Sequence, residues 1–548
     1  MPNESIPLLI VGAGPVGLTM ACELARHGVA FRIIDQAPER SKTSKALAIF
    51  PRTIEVFETM GVVETVLREG HRLFGLQIQN REERLAQIDF ASIASPYPFV
   101  LSLAQAETER ILIEQLHSLG IEVERDVTLT GLTHTARAVS ASLRHSDGHD
   151  EVVETPWLLG CDGAHSATRH ALELPFEGAQ YRESFVLADV RVDSPLSRTQ
   201  AHLFFSSAGL FAIFPLGEER ARIIVAVTPE NREHAQPDVT LEEIQRYARD
   251  RGPAGLQVSE PVWMSRFNIS HRKVESFRKL RVFLAGDAAH IHSPAGGQGM
   301  NTGIQDSFNL AWKLALVVQG RAPVELLSSY NDEREPIAKS VLNLTDRITR
   351  VATVRNPVAQ SVRNFLLPVV GQLEFVQGNI ADRMTELAVN YRRSAIVEHH
   401  GGGALRAGDR APDCDLRGVD QRAQRLFELF RDPRHVLLVF LGADTGLWQE
   451  EHAQIRALGE LFADVLCSYS LVRGRGGHAD GIPSLLQDVT GAAHLSYGLP
   501  TGGLMLVRPD GYIAFRCGEL DARRLEACLA RIFTSPTRIA VEPEAGTK

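Results

Sequence analysis

Apolar residues along this chain gather into short runs that stop at glycine. Ile6 to Val11 is nearly continuous and leads into Gly12-Ala13-Gly14-Pro15-Val16-Gly17, and Val282-Phe283-Leu284-Ala285 leads into Gly286-Asp287. Runs of this length bounded by turn residues read as buried strands. Behind each loop the period becomes helical. Val16, Met20 and Leu24 share one face, with Gly28 closing the helix, and Ile304, Phe308, Ala311, Trp312, Ala315 and Leu316 place a helix start close to Met300. Phe31 to Asp35 is a further strand, ending in an acid, and Leu158-Leu159-Gly160-Cys161-Asp162-Gly163 returns to a glycine loop. The runs 185–190, 202–205, 210–216 and 222–227 follow one another without helical spacing between them, which predicts an antiparallel sheet. From Arg321 to about Ser394 the pattern is helical, punctuated by Pro323, Pro336 and Pro357. Gly401-Gly402-Gly403 predicts a hinge. Beyond it, 436–441 and 504–508 are apolar strands, with Pro509-Asp510-Gly511-Tyr512 as a hairpin turn.

At 548 residues, two to four domains are expected. Apolar residues make up 44% and charged residues 23%, as in an ordinary globular protein, and the formal charge of −9 comes with no Lys/Arg run resembling a nucleic-acid footprint. The six cysteines are scattered without C-x-x-C or metal-ligand spacing, so reduced thiols, a cytoplasmic setting and no metal are expected. The N-terminus lacks the basic region of a signal peptide, and no apolar stretch reaches the roughly 18 residues of a membrane span.

The glycine loops carry the chemistry. Gly12-x-Gly14-x-x-Gly17 follows a strand and opens a helix, with Pro15 in its first turn, and Asp35 ends the next strand about 20 residues on, the context that identifies a dinucleotide fold. Gly12 allows the turn, Gly14 lets a pyrophosphate approach the backbone, Gly17 permits helix–strand contact, and Asp35 can accept from a ribose. Near Met300, three glycines before a helix N-terminus admit a flat or anionic ligand toward unpaired N–H groups. This pattern specifies a dinucleotide, not which one.

Three segments in order narrow it. Gly12–Gly17; Asp162-Gly163-x-x-Ser166-x-x-Arg169; and Gly286-Asp287-Ala288-Ala289-His290-x-x-x-Pro294-x-Gly296-Gly297-Gln298-Gly299-x-Asn301 together resemble the class A flavoprotein aromatic hydroxylases, single-component FAD monooxygenases of the para-hydroxybenzoate and phenol hydroxylase type. The resemblance implies a tightly but non-covalently bound FAD, NAD(P)H as transient co-substrate with NADPH favoured, and transfer of one oxygen atom from a flavin C4a-hydroperoxide to an aromatic ring. It places Asp287 at the ribityl chain, and Pro294, Gly297, Gly299, Met300 and Asn301 along the isoalloxazine. It places Asp162 at FAD and NAD(P)H, Lys45 in the loop beside the flavin ring, Gln105 at FAD and Arg40 on the adenosine phosphate side. Arg52 is expected to be structural, as is His290, while His292 is a proton-relay candidate. Phe204, Phe214 and Met264 are pocket candidates for which core packing is the stronger expectation.

The implied fold is α/β: a Rossmann-like FAD-binding domain of the para-hydroxybenzoate hydroxylase type, residues 1–176 and 278–345, with an inserted antiparallel-sheet substrate domain at 177–277. A helical connector follows at 346–400, then a thioredoxin-like domain without C-x-x-C at 401–548, expected to serve structural support or homodimer formation. The similarity is greatest to hydroxylases of phenylpropionates, chlorophenols and polyketide aromatics. In one respect the chain departs from phenol-type relatives: between Ser41 and Pro51 there is no Asp, Glu or His to activate a phenol, and no catalytic residue is assigned. The base lies elsewhere, or the substrate needs less activation. Competing readings are a Baeyer–Villiger-type oxygenase or a reductase of a polycyclic or prenyl substrate, a non-catalytic flavin-binding scaffold, and a plain nicotinamide dehydrogenase.

Overall fold

The computed structural model describes residues 6–42, 46–80, 83–206, 209–227, 238–293, 296–352, 381–442, 449–474 and 484–534. Leu8–Val11, buried throughout, has a parallel neighbour on each side, Trp157–Gly160 and Arg32–Asp35. The six-stranded sheet runs Arg278–Lys279, Val282–Leu284, Trp157–Gly160, Leu8–Val11, Arg32–Asp35, Glu124–Arg125, and only the Arg278–Lys279 pairing is antiparallel. Strand order reverses direction at Leu8–Val11, so a crevice opens beyond its C-terminal end, where such sheets bind ligands. Two helices flank that crevice and pack on each other: Pro15–Arg26, and Gly299–Val318, the motif helix. The motif helix is buried from Met300 to Leu316 although it carries Asn301, Gln305, Asp306, Asn309 and Lys313. Each of these polar side chains therefore requires a partner.

The second sheet has eight strands, in the order His290–Ile291, Gln257–Lys273, Glu177–Asp193, Arg220–Val227, Gly209–Pro215, Gln200–Ser206, Gly75–Gln79, Arg84–Asp89. It is antiparallel except where Gln200–Ser206 runs parallel to Gly75–Gln79. One feature differs from the sequence expectation. The sheet is not confined to residues 177–277, because the 75–89 hairpin extends its edge. As expected, no helix separates the runs from 185 to 227; after them Leu241–Arg251 intervenes, started by the Thr240 side chain accepting from the Glu243 N–H. The helix lays Ile244, Tyr247 and Ala248 on the sheet's apolar face.

The helical reading of 321–394 holds for Ser328–Ala352, with Pro336 inside the helix; Pro357 lies outside the described residues. A third sheet follows, ordered Glu398–His400, Ile513–Cys517, Gly503–Val507, His435–Leu441, Leu466–Arg473, Leu485–Asp488, Asp415–Gly418, Ala423–Arg425. Its core, with His435–Leu441 parallel to Leu466–Arg473 and antiparallel to Gly503–Val507, is thioredoxin-like. Glu398–His400, just ahead of the Gly401–Gly403 run, already pairs within this sheet. The turn at Pro509–Tyr512 forms as expected, with Gly511 at φ +76°. Ion pairs to two buried glutamates tie this domain to the first, Arg410 to Glu55 at 2.9 Å and Arg425 to Glu58 at 3.0 Å. Among the described residues, no helix is long and apolar enough to cross a membrane, and no cluster of His, Cys, Asp and Glu suits a metal ion.

Candidate cofactor and substrate site

In the first glycine turn, each glycine meets a different constraint. Gly12 has φ +101°, and a Cβ there would lie 2.5 Å from the Cys161 carbonyl oxygen; one on Gly17 would fall 1.9 Å from the Gly12 carbonyl oxygen. Gly14 is the opposite case. At φ −78° it is unstrained, and a Cβ would meet nothing within 4 Å. The protein thus packs tightly behind this turn and leaves open space in front of it, as a pyrophosphate cradle at a helix N-terminus requires. Asp35 braces the same turn, accepting from the Ala13 N–H at 2.6 Å and the Ala37 N–H at 2.8 Å, with acceptor capacity left over.

One cavity of about 1410 Å³ begins at Gly14 and ends under the eight-stranded sheet. Of the sequence-derived candidates, Gly14, Pro15, Gln105, Asp287, Gly297, Gly299 and Met300 line it together. Gly12, Gly17 and Asp35 shape the turn from behind. Arg40 donates to the Ala106 carbonyl at 3.0 Å, and Gln105 holds Glu109 at 2.9 Å. Lys45 and Pro294 lie outside the described residues.

Two side chains expected at the cofactor are turned into the protein instead. The Asp162 carboxylate accepts from Ser166 Oγ at 2.6 Å, the Thr168 N–H at 2.9 Å and Thr168 Oγ1 at 3.0 Å, which fixes its own turn and holds Gly163 at φ +74°. Asn301 accepts from the Phe50 N–H at 2.9 Å and donates to the Ala48 and Gly297 carbonyls at 2.8 and 3.1 Å. A polar residue in a motif can serve a ligand or shape the loop that meets it, and spacing alone does not separate the two. Arg169 joins the second and third motifs, donating to the Ala288 and Ala164 carbonyls at 3.0 and 2.9 Å with its guanidinium 3.9 Å from the Phe176 ring centroid.

The third motif is organised around a buried charge pair that the sequence reading did not anticipate. Asp306 receives Arg334 Nε at 2.7 Å on one oxygen, and His290 Nε2 at 2.7 Å with the Gly286 N–H at 3.1 Å on the other. His290 is thereby structural, and Asp287, between the two anchored residues, is presented exposed to the cavity. Burial, with His290 adding to it, lowers the His292 pKa to about 4, so this ring is neutral near physiological pH and does not titrate there. Arg52, as expected, is structural: it pairs with Glu55 at 3.0 Å and donates to the Asp510 carbonyl at 2.6 Å.

Gly297, at φ +65°, turns the chain into the motif helix, whose first N–H groups have no acceptor within the helix and carry its positive end toward the cavity. The far wall is apolar and comes largely from segments that carried no candidate: Leu73, Leu76, Ile88 and Phe90, joined by Leu203 and Phe214. Phe204 and Met264 go to the core on the sheet's other side. The 75–79 stretch does alternate with period two, a strand signal that was available. Asp287 is the only carboxylate among the described lining residues.

Glu386 abuts the second turn of the motif helix, accepting from Thr302 Oγ1 at 2.7 Å and from Gln305 Nε2, on a backbone with φ +61°. Burial raises its pKa to about 7, against the Thr302, Arg334 and Gln305 contacts that favour the anion. A carboxyl whose pKa is raised from 4.5 to about 7 contributes stability that is complete below 4.5 and is lost as pH rises through 7. Glu386→Gln is therefore expected to be increasingly more stable than the parent between pH 5 and 8, by up to about 3 kcal/mol at the upper end. Thermal unfolding across that range reads it, and a difference independent of pH would contradict the assignment.

The open face at Gly14, the exposed Asp287 and the helix end at Gly299 suit a dinucleotide cofactor such as FAD. Comparison with known proteins agrees. Residues 5–345 match the family described as FAD binding domain, and residues 405–536 match aromatic-ring hydroxylase, C-terminal. A 6-methylpretetramide 4-monooxygenase from Streptomyces rimosus is 36% identical across 100% of this chain and 97% of its own length. The anhydrotetracycline hydroxylase structure from Streptomyces rimosus superposes with a TM-score of 0.76 at 31% identity, covering 96% of this chain and 99% of that one. An aklavinone-11 hydroxylase, solved with FAD and aklavinone, gives 0.77 at 25% identity, covering 97% and 99%.

Proposed function

Because this chain belongs to the FAD-binding aromatic-ring hydroxylase family, and is an FAD-dependent monooxygenase of aromatic compounds, we propose that its own substrate is polycyclic and readily ionised, and that its reductant is NADPH in preference to NADH. The observation that carries the substrate reading is the cavity. Its 1410 Å³ is shared with FAD, and beyond the glycine loops it continues under the sheet into an apolar chamber lined by Leu73, Leu76, Ile88, Phe90, Leu203 and Phe214, which suits a flat, apolar ring system. The relatives named above carry polyketide names, which supports the same class.

FAD, when bound, supplies the electron transfer and the activation of oxygen. The protein's part is binding, orientation and exclusion of water. Gly14 and Pro15 are proposed to hold the pyrophosphate, Asp287 the ribityl hydroxyls, and Gly297, Gly299 and Met300 the pyrimidine end, where the motif-helix N-terminus favours negative charge. Leu76, Ile88, Leu203 and Phe214 hold the substrate's apolar body and keep water out. With no carboxylate in the described lining at the sheet end, the hydroxyl to be activated has no acid–base partner of that kind, which favours a polyhydroxylated aromatic already acidic in water.

The test is oxidation of NADPH and of NADH by the purified holoenzyme in air, across monocyclic phenols and three- and four-ring hydroxylated aromatics, with labelled O₂. The expected result is stimulation by the polycyclic set, one labelled oxygen in an unrearranged ring skeleton, and faster turnover with NADPH. Stimulation confined to monocyclic phenols would overturn the substrate class. An expanded ring would establish Baeyer–Villiger chemistry instead.

A further inference from the structure

We propose that Asp510, in the C-terminal domain, is a positioning residue for the flavin. It lies on the turn between Gly503–Val507 and Ile513–Cys517 and is 2% exposed. One carboxylate oxygen accepts from Trp312 Nε1 at 3.1 Å and Asn309 Nδ2 at 3.3 Å, and Arg508 binds both oxygens. Asn309, Trp312 and Lys313 are spaced to share one face of the motif helix. Lys313 joins the same cluster through Glu333, which it meets at 2.7 Å and which Arg508 meets at 2.7 and 2.9 Å. The C-terminal domain therefore grips the motif helix about 15 Å along its axis from the end that faces the flavin.

The same residue also grips the other wall. Its backbone carbonyl accepts from Arg52 at 2.6 Å, and Arg52 belongs to the Pro51–Thr59 helix. Immediately before that helix, Phe50 and Ala48 are bonded to Asn301 in the first turn of the motif helix. The bonds close a ring: Asp510 to Arg52, along the chain to Phe50, across to Asn301, along the motif helix to Asn309 and Trp312, and back to Asp510. Two walls of the flavin cradle thus share one fixed point, and that point belongs to neither.

This rests on FAD occupying the cavity, and is read without any substrate, so it stands or falls separately from the polycyclic reading. The experiment is the Asp510→Asn holoenzyme, followed by flavin release on dilution, seen as a rise in fluorescence, and by the visible absorption and circular dichroism of the flavin still bound. Asp488→Asn is the control. Asp488 bonds to the His494 ring at 2.7 Å within the C-terminal domain, and its strand is separated from Gly503–Val507 by two others. The expected result is flavin release about tenfold faster and an altered bound-flavin spectrum for Asp510→Asn, with Asp488→Asn retaining the parent's values even where its melting temperature falls as far. Equal effects of the two substitutions, or a parent-like flavin in Asp510→Asn, would overturn the proposal. Should Asp510→Asn not fold, Trp312→Phe removes one donor to Asp510 while keeping a ring in place, and is judged by the same two readings.

Discussion

Gly14→Val is expected to leave the chain folded and to strip it of FAD. The backbone at this position, φ −78° and ψ −176°, is extended and open to any residue, and an added Cβ meets no protein atom within 4 Å. Valine is a poorer helix N-cap than glycine, which costs about 1 kcal/mol at most. The valine methyl groups instead stand where the pyrophosphate must approach the backbone, over the N–H groups that would bind it. An affinity loss of at least about 100-fold, roughly 2.7 kcal/mol, is expected. Gly17→Val sharpens the comparison. Its Cβ would sit 1.9 Å from the Gly12 carbonyl oxygen, so that variant should lose the fold and the cofactor together. Thermal unfolding without added flavin, set beside FAD titration, separates the two. A Gly14→Val protein that still purifies yellow at full stoichiometry would refute the placement of the pyrophosphate.

The contrast between those two glycines shows what the sequence could and could not convey. Gly12, Gly14 and Gly17 were identified together by spacing, strand and helix context, and the parallel sheet they serve was legible because its strands are short, apolar and end at loops. What spacing does not encode is direction. Asp162 and Asn301 occupy motif positions as regular as that of Asp287, yet only Asp287 faces the cavity; Asp162 bonds within its own turn, and Asn301 ties its loop to Ala48 and Phe50. The turn residues and the partner segments decide this, and Phe50, 251 residues away from Asn301, is not visible from the motif.

Long-range closure also hid the substrate wall. Gly75–Gln79 becomes part of the eight-stranded sheet only by pairing with Gln200–Ser206, across the whole second motif. Its period-two alternation marks a strand without saying which sheet it joins. The C-terminal domain was readable as a separate unit from its apolar strands and the Pro509–Tyr512 turn. Its role was not, because Asp510 reads as an ordinary turn acid until Trp312 and Asn309 are brought against it.

Asp306→Asn is expected to cost about 3–5 kcal/mol, the usual penalty for removing one partner of a buried ion pair. Arg334 and Asp306 are both fully buried, and the carboxylate also receives His290 and the Gly286 N–H. Asparagine can still accept one or two of these bonds, but it leaves the guanidinium without a counter-charge. Burial alone would raise the Asp306 pKa; Arg334 and His290 outweigh it and hold the carboxyl below its usual 3.8. A carboxylate depressed in this way contributes stability that is complete above 3.8 and is lost as pH falls through the lower folded value. The gap between parent and variant should therefore be constant from pH 5 to 8 and narrow only in strong acid, opposite in direction to the Glu386 effect. Flavin loss should accompany it, since Gly286 and His290 bracket Asp287. Denaturant unfolding at several pH values, followed by flavin fluorescence, reads both. A variant as stable as the parent at pH 7 would mean that Arg334 finds another anion, and that the third motif is held by something other than this pair.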